Sequence, residues 1–125
     1  MSDFLLKDDI KQIVDNLRDI SHKFSGKRVL LTGGRGFLGR YFIETFNFLN
    51  RNVLNKPIKT IALDNLITSG RSGSEIPKHD NVEFINHNVI NPFDAKEKLD
   101  FIIHAAGIAS PFYYRAFPFE TLEVA

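Results

Sequence analysis

Three regularly spaced glycines are the most chemically informative feature of this 125-residue sequence. Gly33, Gly36 and Gly39 follow a short apolar run at 28–32 and stand at the beginning of a helical pattern. Between a strand and a helix, the first glycine permits a tight turn and the second lets the backbone approach a pyrophosphate, while the third lets the helix pack close to the sheet. The first turn of such a helix also offers unbonded N–H groups and a partial positive charge to phosphate oxygens. The spacing therefore predicts a dinucleotide-binding turn.

An acidic residue at the end of the next apolar run supplies a second contact. Asp64 follows the run at 58–63, and its carboxylate can accept hydrogen bonds from both hydroxyls of an adenosine ribose. The same charge would repel a 2′-phosphate, so NAD is favoured over NADP. The distance from the glycine turn exceeds the roughly 20 residues typical of this motif, which indicates an extended connection. The alternative is a glycine-rich turn with an aspartate that only caps it.

Helical and strand patterns alternate along the chain in a way that could position these residues. Apolar runs without alternation predict strands buried on both faces at 28–32, 58–64, 81–86 and 99–104. Helices are predicted over 37–50 and from Phe119 onward, with an exposed loop at 65–80. This order predicts an α/β fold, a Rossmann-type doubly wound parallel sheet covering residues 27–125. The chain ends within a helical pattern, so we expect a truncated domain.

The first 26 residues form a separate leader. An amphipathic helix is predicted over 4–24, because apolar residues recur at spacings of three and four along one face: Leu6, Ile10, Ile13, Val14, Leu17, Ile20 and Phe24. Gly26 follows its predicted end.

Composition narrows the class of protein. The net charge of +1 gives no reason to expect a nucleic-acid partner, and the absence of cysteine excludes disulfides and thiolate metal sites. The four histidines lack metal-ligand spacing, so no metal is expected, and we interpret His104 as structural. No apolar run approaches the roughly 20 residues that span a bilayer, and the first residues do not resemble a signal peptide. We therefore expect a cytoplasmic globular protein without a membrane partner.

Five segments together resemble a known family. Residues 32–39 resemble the T-G-G-x-G-F-[IL]-G turn of extended short-chain dehydrogenases that act on nucleotide sugars, and residues 64–70 resemble their D-N-[FL]-x-T-G stretch. Residues 84–92 are similar to F-x-x-H-D-V-x-x-P, and residues 104–107 to H-x-A-[GS]. Residues 109–118 resemble a stretch of the UDP-glucuronate decarboxylases within this NAD-dependent epimerase/dehydratase family.

The resemblance implies an enzyme that holds NAD, oxidises C4 of a nucleotide sugar and later returns the hydride. The reaction would be that of a UDP-glucuronate decarboxylase, a 4,6-dehydratase or a 4-epimerase, and the complete protein would be a homodimer. The cofactor-binding residues that the motif and the resemblance together predict are Gly33, Gly36, Phe37, Leu38, Gly39, Asp64, Asn65, Leu66, Thr68, Asn88, Val89, Ala105, Ala106 and Gly107.

The sequence departs from the family at three points. Asn88 stands where the family has an aspartate thought to hold the adenine amino group, and Glu123 stands where the decarboxylases have a substrate-side lysine. None of the tyrosines, at 41, 113 and 114, is followed by a lysine four residues later, although the family uses a Y-x-x-x-K pair for acid/base catalysis. No catalytic residue is therefore assigned, and a non-catalytic dinucleotide-binding module is the alternative function.

Overall fold

The computed structural model describes residues 3–65, 79–107 and 115–124. The predicted Rossmann-type α/β fold is confirmed, since the four strands of these ranges form one parallel sheet in the order β3-β2-β1-β4. The elements along the chain are α1 (Asp3–Leu17), a 3₁₀ helix (Arg18–Phe24), β1 (Arg28–Thr32), α2 (Phe37–Asn52), β2 (Lys59–Asp64), β3 (Val82–Asn86), β4 (Phe101–His104) and α3 (Pro118–Val124).

The strand order reverses at β1. The chain runs from β1 outward through β2 to β3, and then returns to place β4 on the opposite side of β1. Thr32, the last residue of β1, lies level with Leu63 of β2 and His104 of β4, so the carboxyl ends of three strands meet at one edge. Open α/β sheets bind ligands at such a switch point, outside the carboxyl ends of the strands.

The core lies between α2 and the middle of the sheet. Val29 of β1 packs with Phe46 and Leu49 of α2, and all three side chains are buried. Asn50, near the end of α2, makes two hydrogen bonds to the backbone of Ile58. Its side-chain amide donates to the Ile58 carbonyl at 3.0 Å, and its Oδ1 accepts the Ile58 N–H at 2.8 Å. These contacts fix α2 against the beginning of β2, and with it the turn that precedes α2.

The leader is not one continuous helix, so the prediction over 4–24 is wrong from Arg18 onward. Arg18 has a positive φ of 49°, and its carbonyl accepts the Ser21 hydroxyl at 2.8 Å, a local bond that competes with the α-helical ladder. The break rotates the apolar face, and Ile20 is exposed in consequence. Phe24 packs instead at the base of the sheet, with its ring centroid 5.2 Å from that of Phe101.

The two outer strands are less buried than the sequence predicted. Burial on both faces is close to complete only in the middle of the sheet, whereas β4 begins at Phe101 rather than at Leu99 and exposes 65% of Ile102. Within the described ranges β4 pairs with β1 alone, so among these residues it lies at the edge of the sheet. An apolar run without alternation cannot distinguish a central strand from an edge strand whose outer face is apolar. None of the helices in the described parts of the chain is both long and apolar enough to cross a bilayer.

Candidate cofactor-binding crevice

The glycine turn is held tightly between the ends of three strands. Gly33 has a φ of 71°, and its N–H donates to the Leu63 carbonyl at 2.8 Å. A Cβ atom at Gly33 would lie 2.7 Å from both the Ala105 oxygen and the Ala106 nitrogen. Such a distance is shorter than real Cβ contacts, so both the conformation and the space at this position require glycine.

The other two motif glycines differ from each other in what they meet. A Cβ atom at Gly39 would collide with the Gly33 carbonyl oxygen and lie 2.8 Å from the Gly34 Cα, so the first turn of α2 packs directly on the glycine turn. A Cβ atom at Gly36 would meet only the Gly33 oxygen, at 3.3 Å. The packing of the protein itself therefore demands glycine at position 39 more strongly than at 36. Gly36 lines the crevice, where the lack of a side chain leaves its backbone accessible to a ligand.

Asp64 lies at the crevice and also supports the turn. Its Oδ2 accepts the backbone N–H of Arg35 at 2.9 Å, and its carbonyl accepts the N–H of His87 at 3.2 Å. The capping role that the sequence offered as an alternative is therefore present, together with a position on the crevice wall. A carboxylate accepts several hydrogen bonds, so one bond to the turn is compatible with bonds to a ribose.

The crevice opens at the switch point of the sheet, between the glycine turn and the continuation of β4. Most of the predicted cofactor-binding residues among those described line it, together with three that sequence reasoning missed: Leu63, His87 and Val124. The complete lining is Gly33, Gly36, Leu63, Asp64, Asn65, His87, Val89, Ala105, Ala106, Gly107 and Val124. His87 could have been found, because it directly follows β3, whose last residue lies level with Asp64. No sequence signal points to Val124, which reaches the crevice from α3.

Some predicted side chains lie away from the crevice. Phe37 and Leu38 are exposed and line a separate apolar groove next to the leader, so any contact they make with phosphate would come from their backbone N–H groups. Asn88 lies in a turn, where its Oδ1 accepts the Ile90 N–H at 3.2 Å, and it is not part of the lining. Leu66 and Thr68 lie outside the described residues.

The floor of the crevice, formed by Ala105 and Ala106, is held by hydrogen bonds to Thr32 at the end of β1. The Thr32 carbonyl accepts the Ala105 N–H at 3.1 Å, and the Thr32 hydroxyl oxygen accepts the Ala106 N–H at 3.2 Å. Because Ala105 and Ala106 also lie against Gly33, the two sides of the crevice meet at Thr32 without a large side chain between them.

Among the described residues that line the crevice there is no lysine or arginine, and Asp64 is the single carboxylate. An anion there would have as donors the backbone N–H groups at the amino-terminal end of α2 and the side chains of Asn65 and His87. Within the described ranges, no group of three His, Asp or Glu side chains could hold a metal ion.

Tyr41, the one tyrosine within the described ranges, belongs to the leader side of the molecule. Its hydroxyl donates to Asp9 of α1 at 2.6 Å, and this bond, with the negative charge of Asp9, raises the pKa of Tyr41 above its ordinary value of 10.0. Tyr41 is absent from the crevice lining and contributes instead to the apolar groove next to the leader.

Comparison with known proteins assigns the chain to a family. The family model described as "NAD dependent epimerase/dehydratase family" matches residues 29–125. UDP-glucuronic acid decarboxylase 6 of Arabidopsis thaliana is 30% identical over 108 residues, which are 86% of this chain and 29% of that protein. UDP-glucuronic acid decarboxylase 1 of Danio rerio is 34% identical over 98 residues, 78% of this chain and 21% of that protein. The chain thus spans less than a third of the length of these relatives. With the glycine turn and parallel sheet in place, the match over 29–125 shows that this chain belongs to the NAD dependent epimerase/dehydratase family.

Proposed function

We propose that this chain forms the NAD-binding part of an enzyme that modifies a nucleotide sugar. The proposal is supported by the family match and by relatives whose names describe UDP-glucuronic acid decarboxylases. The complete protein would act as a decarboxylase, a 4,6-dehydratase or a 4-epimerase, as a cytoplasmic homodimer.

The observation that carries the proposal is a glycine turn that accepts no side chain at positions 33 and 39 and lies beside an acid. At Gly33 and Gly39 a Cβ atom would overlap backbone atoms, so the turn brings the end of β1 and the beginning of α2 as close together as main chains can pack. A diphosphate would bind at the amino-terminal end of α2, and Asp64, which lines the crevice, would accept the ribose hydroxyls. The small side chains of Ala105 and Ala106 would leave room for the rest of a dinucleotide.

The residues of this chain would bind and orient rather than transfer protons. When bound, NAD supplies a hydride acceptor for the sugar C4 and then returns the hydride. The backbone of the turn would hold the diphosphate, and the carboxylate at 64 would fix the adenosine ribose. The Tyr41 hydroxyl donates to Asp9, and Tyr41 is not part of the crevice lining, so it is not positioned to act on a sugar bound there. We propose that the complete protein supplies a Tyr-x-x-x-Lys pair elsewhere in its sequence.

The charge of the sugar that binds would depend on position 123, where this chain has a glutamate and the decarboxylase pattern has a lysine. Glu123 is exposed on α3, next to Val124 of the crevice wall. A carboxylate at this position would repel a uronate, whereas a lysine would attract it. We therefore retain a neutral sugar nucleotide as a substrate beside UDP-glucuronate.

Calorimetric titration of this chain with NAD and with NADP tests the cofactor proposal. We expect NAD to bind and NADP to bind at least about tenfold more weakly, because Asp64 would repel the 2′-phosphate. Failure of NAD to bind, or equal affinity for the two cofactors, would contradict the proposal.

A second experiment separates the enzyme from a binding module. The complete protein, loaded with NAD, is incubated with UDP-glucuronate or with UDP-glucose, and the products are identified by ¹H NMR, which also distinguishes a 4-epimer of the same mass. Conversion of either sugar supports the enzyme and shows which charge it accepts. A complete protein that binds NAD, lacks a Tyr-x-x-x-Lys pair and converts neither sugar would support the non-catalytic module instead.

A further inference from the structure

We propose that His104 is a positioning residue that joins α3 to the crevice floor. The connection is a series of hydrogen bonds, here called the relay, from Ala106 through Thr32 and His104 to Val124. In the relay each bond has a fixed donor and a fixed acceptor. The inference rests on the proposed function, because the site that the relay shapes is the proposed NAD site. His104 ends β4 but does not line the crevice itself. Any effect it has on a bound dinucleotide must therefore pass through its neighbours.

Both imidazole nitrogens of His104 are engaged. Nδ1 lies 2.6 Å from the Thr32 hydroxyl oxygen, and Nε2 lies 3.0 Å from the Val124 carbonyl oxygen on α3. A carbonyl oxygen can only accept, so Nε2 must carry a hydrogen. In a neutral imidazole Nδ1 is then an acceptor, and the Thr32 hydroxyl must donate to it.

The other end of the relay is consistent with the same direction. The Ala106 N–H donates to the Thr32 hydroxyl oxygen at 3.2 Å, so that oxygen accepts this bond while its own hydrogen is directed to His104. Thr32 is 7% exposed, which leaves little water to take that hydrogen instead. Each of the three donors, the Ala106 N–H, the Thr32 hydroxyl and the His104 Nε2–H, therefore has one acceptor. Only the neutral tautomer of His104 that is protonated at Nε2 forms all three hydrogen bonds in this direction.

The relay connects two parts of the crevice that are distant in sequence. Ala106 belongs to the floor, and Val124 is a buried part of the wall. Thr32 holds the floor residues against Gly33, while His104 holds the last turn of α3 at the same point. Without the imidazole, α3 would lose this bond to the sheet, and the width of the crevice at Val124 would no longer be fixed.

The tautomer of His104 is the first test, and it needs no cofactor. In ¹⁵N NMR spectra of the imidazole groups, recorded where imidazole is neutral, we expect His104 to be protonated at Nε2 and unprotonated at Nδ1. The exposed His22, on the 3₁₀ helix of the leader, serves as the reference for a histidine outside the relay. Protonation of His104 at Nδ1, or the tautomer mixture of His22, would overturn the proposal.

Two substitutions of His104 distinguish its bond to Thr32 from its bond to Val124. Asn in His104→Asn can accept from Thr32 through its Oδ1 but is too short to reach Val124, whereas His104→Phe can make neither bond. We expect slow hydrogen exchange at the Ala106 amide in the native chain and in His104→Asn, and faster exchange in His104→Phe. Unchanged exchange in His104→Phe would contradict the relay.

Calorimetry then shows whether the relay shapes the cofactor site. We expect NAD to bind roughly threefold more weakly to His104→Asn and about tenfold more weakly to His104→Phe, which corresponds to the loss of one and then more than one hydrogen bond. His22→Phe is the matched control and should bind NAD as the native chain does. Native affinity in both His104 variants would overturn the positioning role. If the native chain itself binds no NAD, the proposed function fails, while the NMR measurements still decide the relay.

Discussion

The two sides of the crevice are built in different ways. On the β1–β2 side, the glycine turn is held mostly by main-chain contacts, because Gly33 donates to the Leu63 carbonyl and Gly39 packs on Gly33. One side chain, that of Asp64, accepts the Arg35 N–H. On the β4–α3 side, an edge strand with an exposed apolar face carries the floor, and one histidine joins it to α3. The first side has no room for an added atom, whereas the second has room and depends on side chains.

The largest effect is expected from an added methyl group on the tightly packed side. In Gly39→Ala the Cβ would overlap the Gly33 oxygen and crowd the Gly34 Cα, both of which are backbone atoms that cannot move aside separately. We expect a loss of unfolding free energy of about 3 kcal/mol or more, measured by urea denaturation.

Gly107→Ala is the matched control for this substitution. Gly107 lies on the β4 side, and a Cβ atom there would meet nothing within 4 Å. We expect its stability to stay within about 0.5 kcal/mol of the native chain. If Gly39→Ala and Gly107→Ala were equally stable, the two sides of the crevice would not differ in how closely they are packed.

The second prediction concerns Asp64, which accepts a hydrogen bond from the turn and is proposed to hold the ribose of NAD. Asp64→Ala removes the acceptor of the Arg35 N–H and the proposed ribose contact. We expect NAD affinity to fall by about 1–3 kcal/mol, because a charge-assisted hydrogen bond is lost, and calorimetry measures the change directly.

Asp64→Asn distinguishes the two roles of this residue. An asparagine can still accept from Arg35 but carries no charge, so it should keep more of the native thermal stability than alanine while also binding NAD more weakly than the native chain. Native NAD affinity in both variants would show that Asp64 supports the turn and does not hold the ribose.

Sequence reasoning worked best where main-chain geometry leaves few residue types possible. Backbone contacts demand glycine at 33 and 39. The spacing of the glycines, between a predicted strand and a predicted helix and with an acid ending the next strand, was therefore enough to predict the turn. The parallel sheet followed from its apolar runs. Comparison with the family then confirmed the resemblance that these residues carried.

The remaining features depend on contacts between distant segments. The break at Arg18 arises from one backbone conformation, which helical periodicity does not encode. Val124 reaches the crevice only because α3 returns to the end of β4, and His104 was interpreted as part of a buried strand although β4 lies at the edge. Composition and spacing describe a residue's own element, but they do not show which element will pack against it.

The smallest effect is expected at the edge strand itself. Ile102 exposes 65% of its surface, so Ile102→Ser should change the unfolding free energy by about 0.5 kcal/mol or less, measured by urea denaturation. Leu31→Ala, at a fully buried position of the neighbouring strand β1, is the contrasting control and should cost about 2–5 kcal/mol. Because exposed apolar surface favours association, Ile102→Ser should also lower any self-association seen by sedimentation. A loss of 2 kcal/mol or more at Ile102 would mean that this face is covered in solution, and the β4 side would then be as closely packed as the glycine turn.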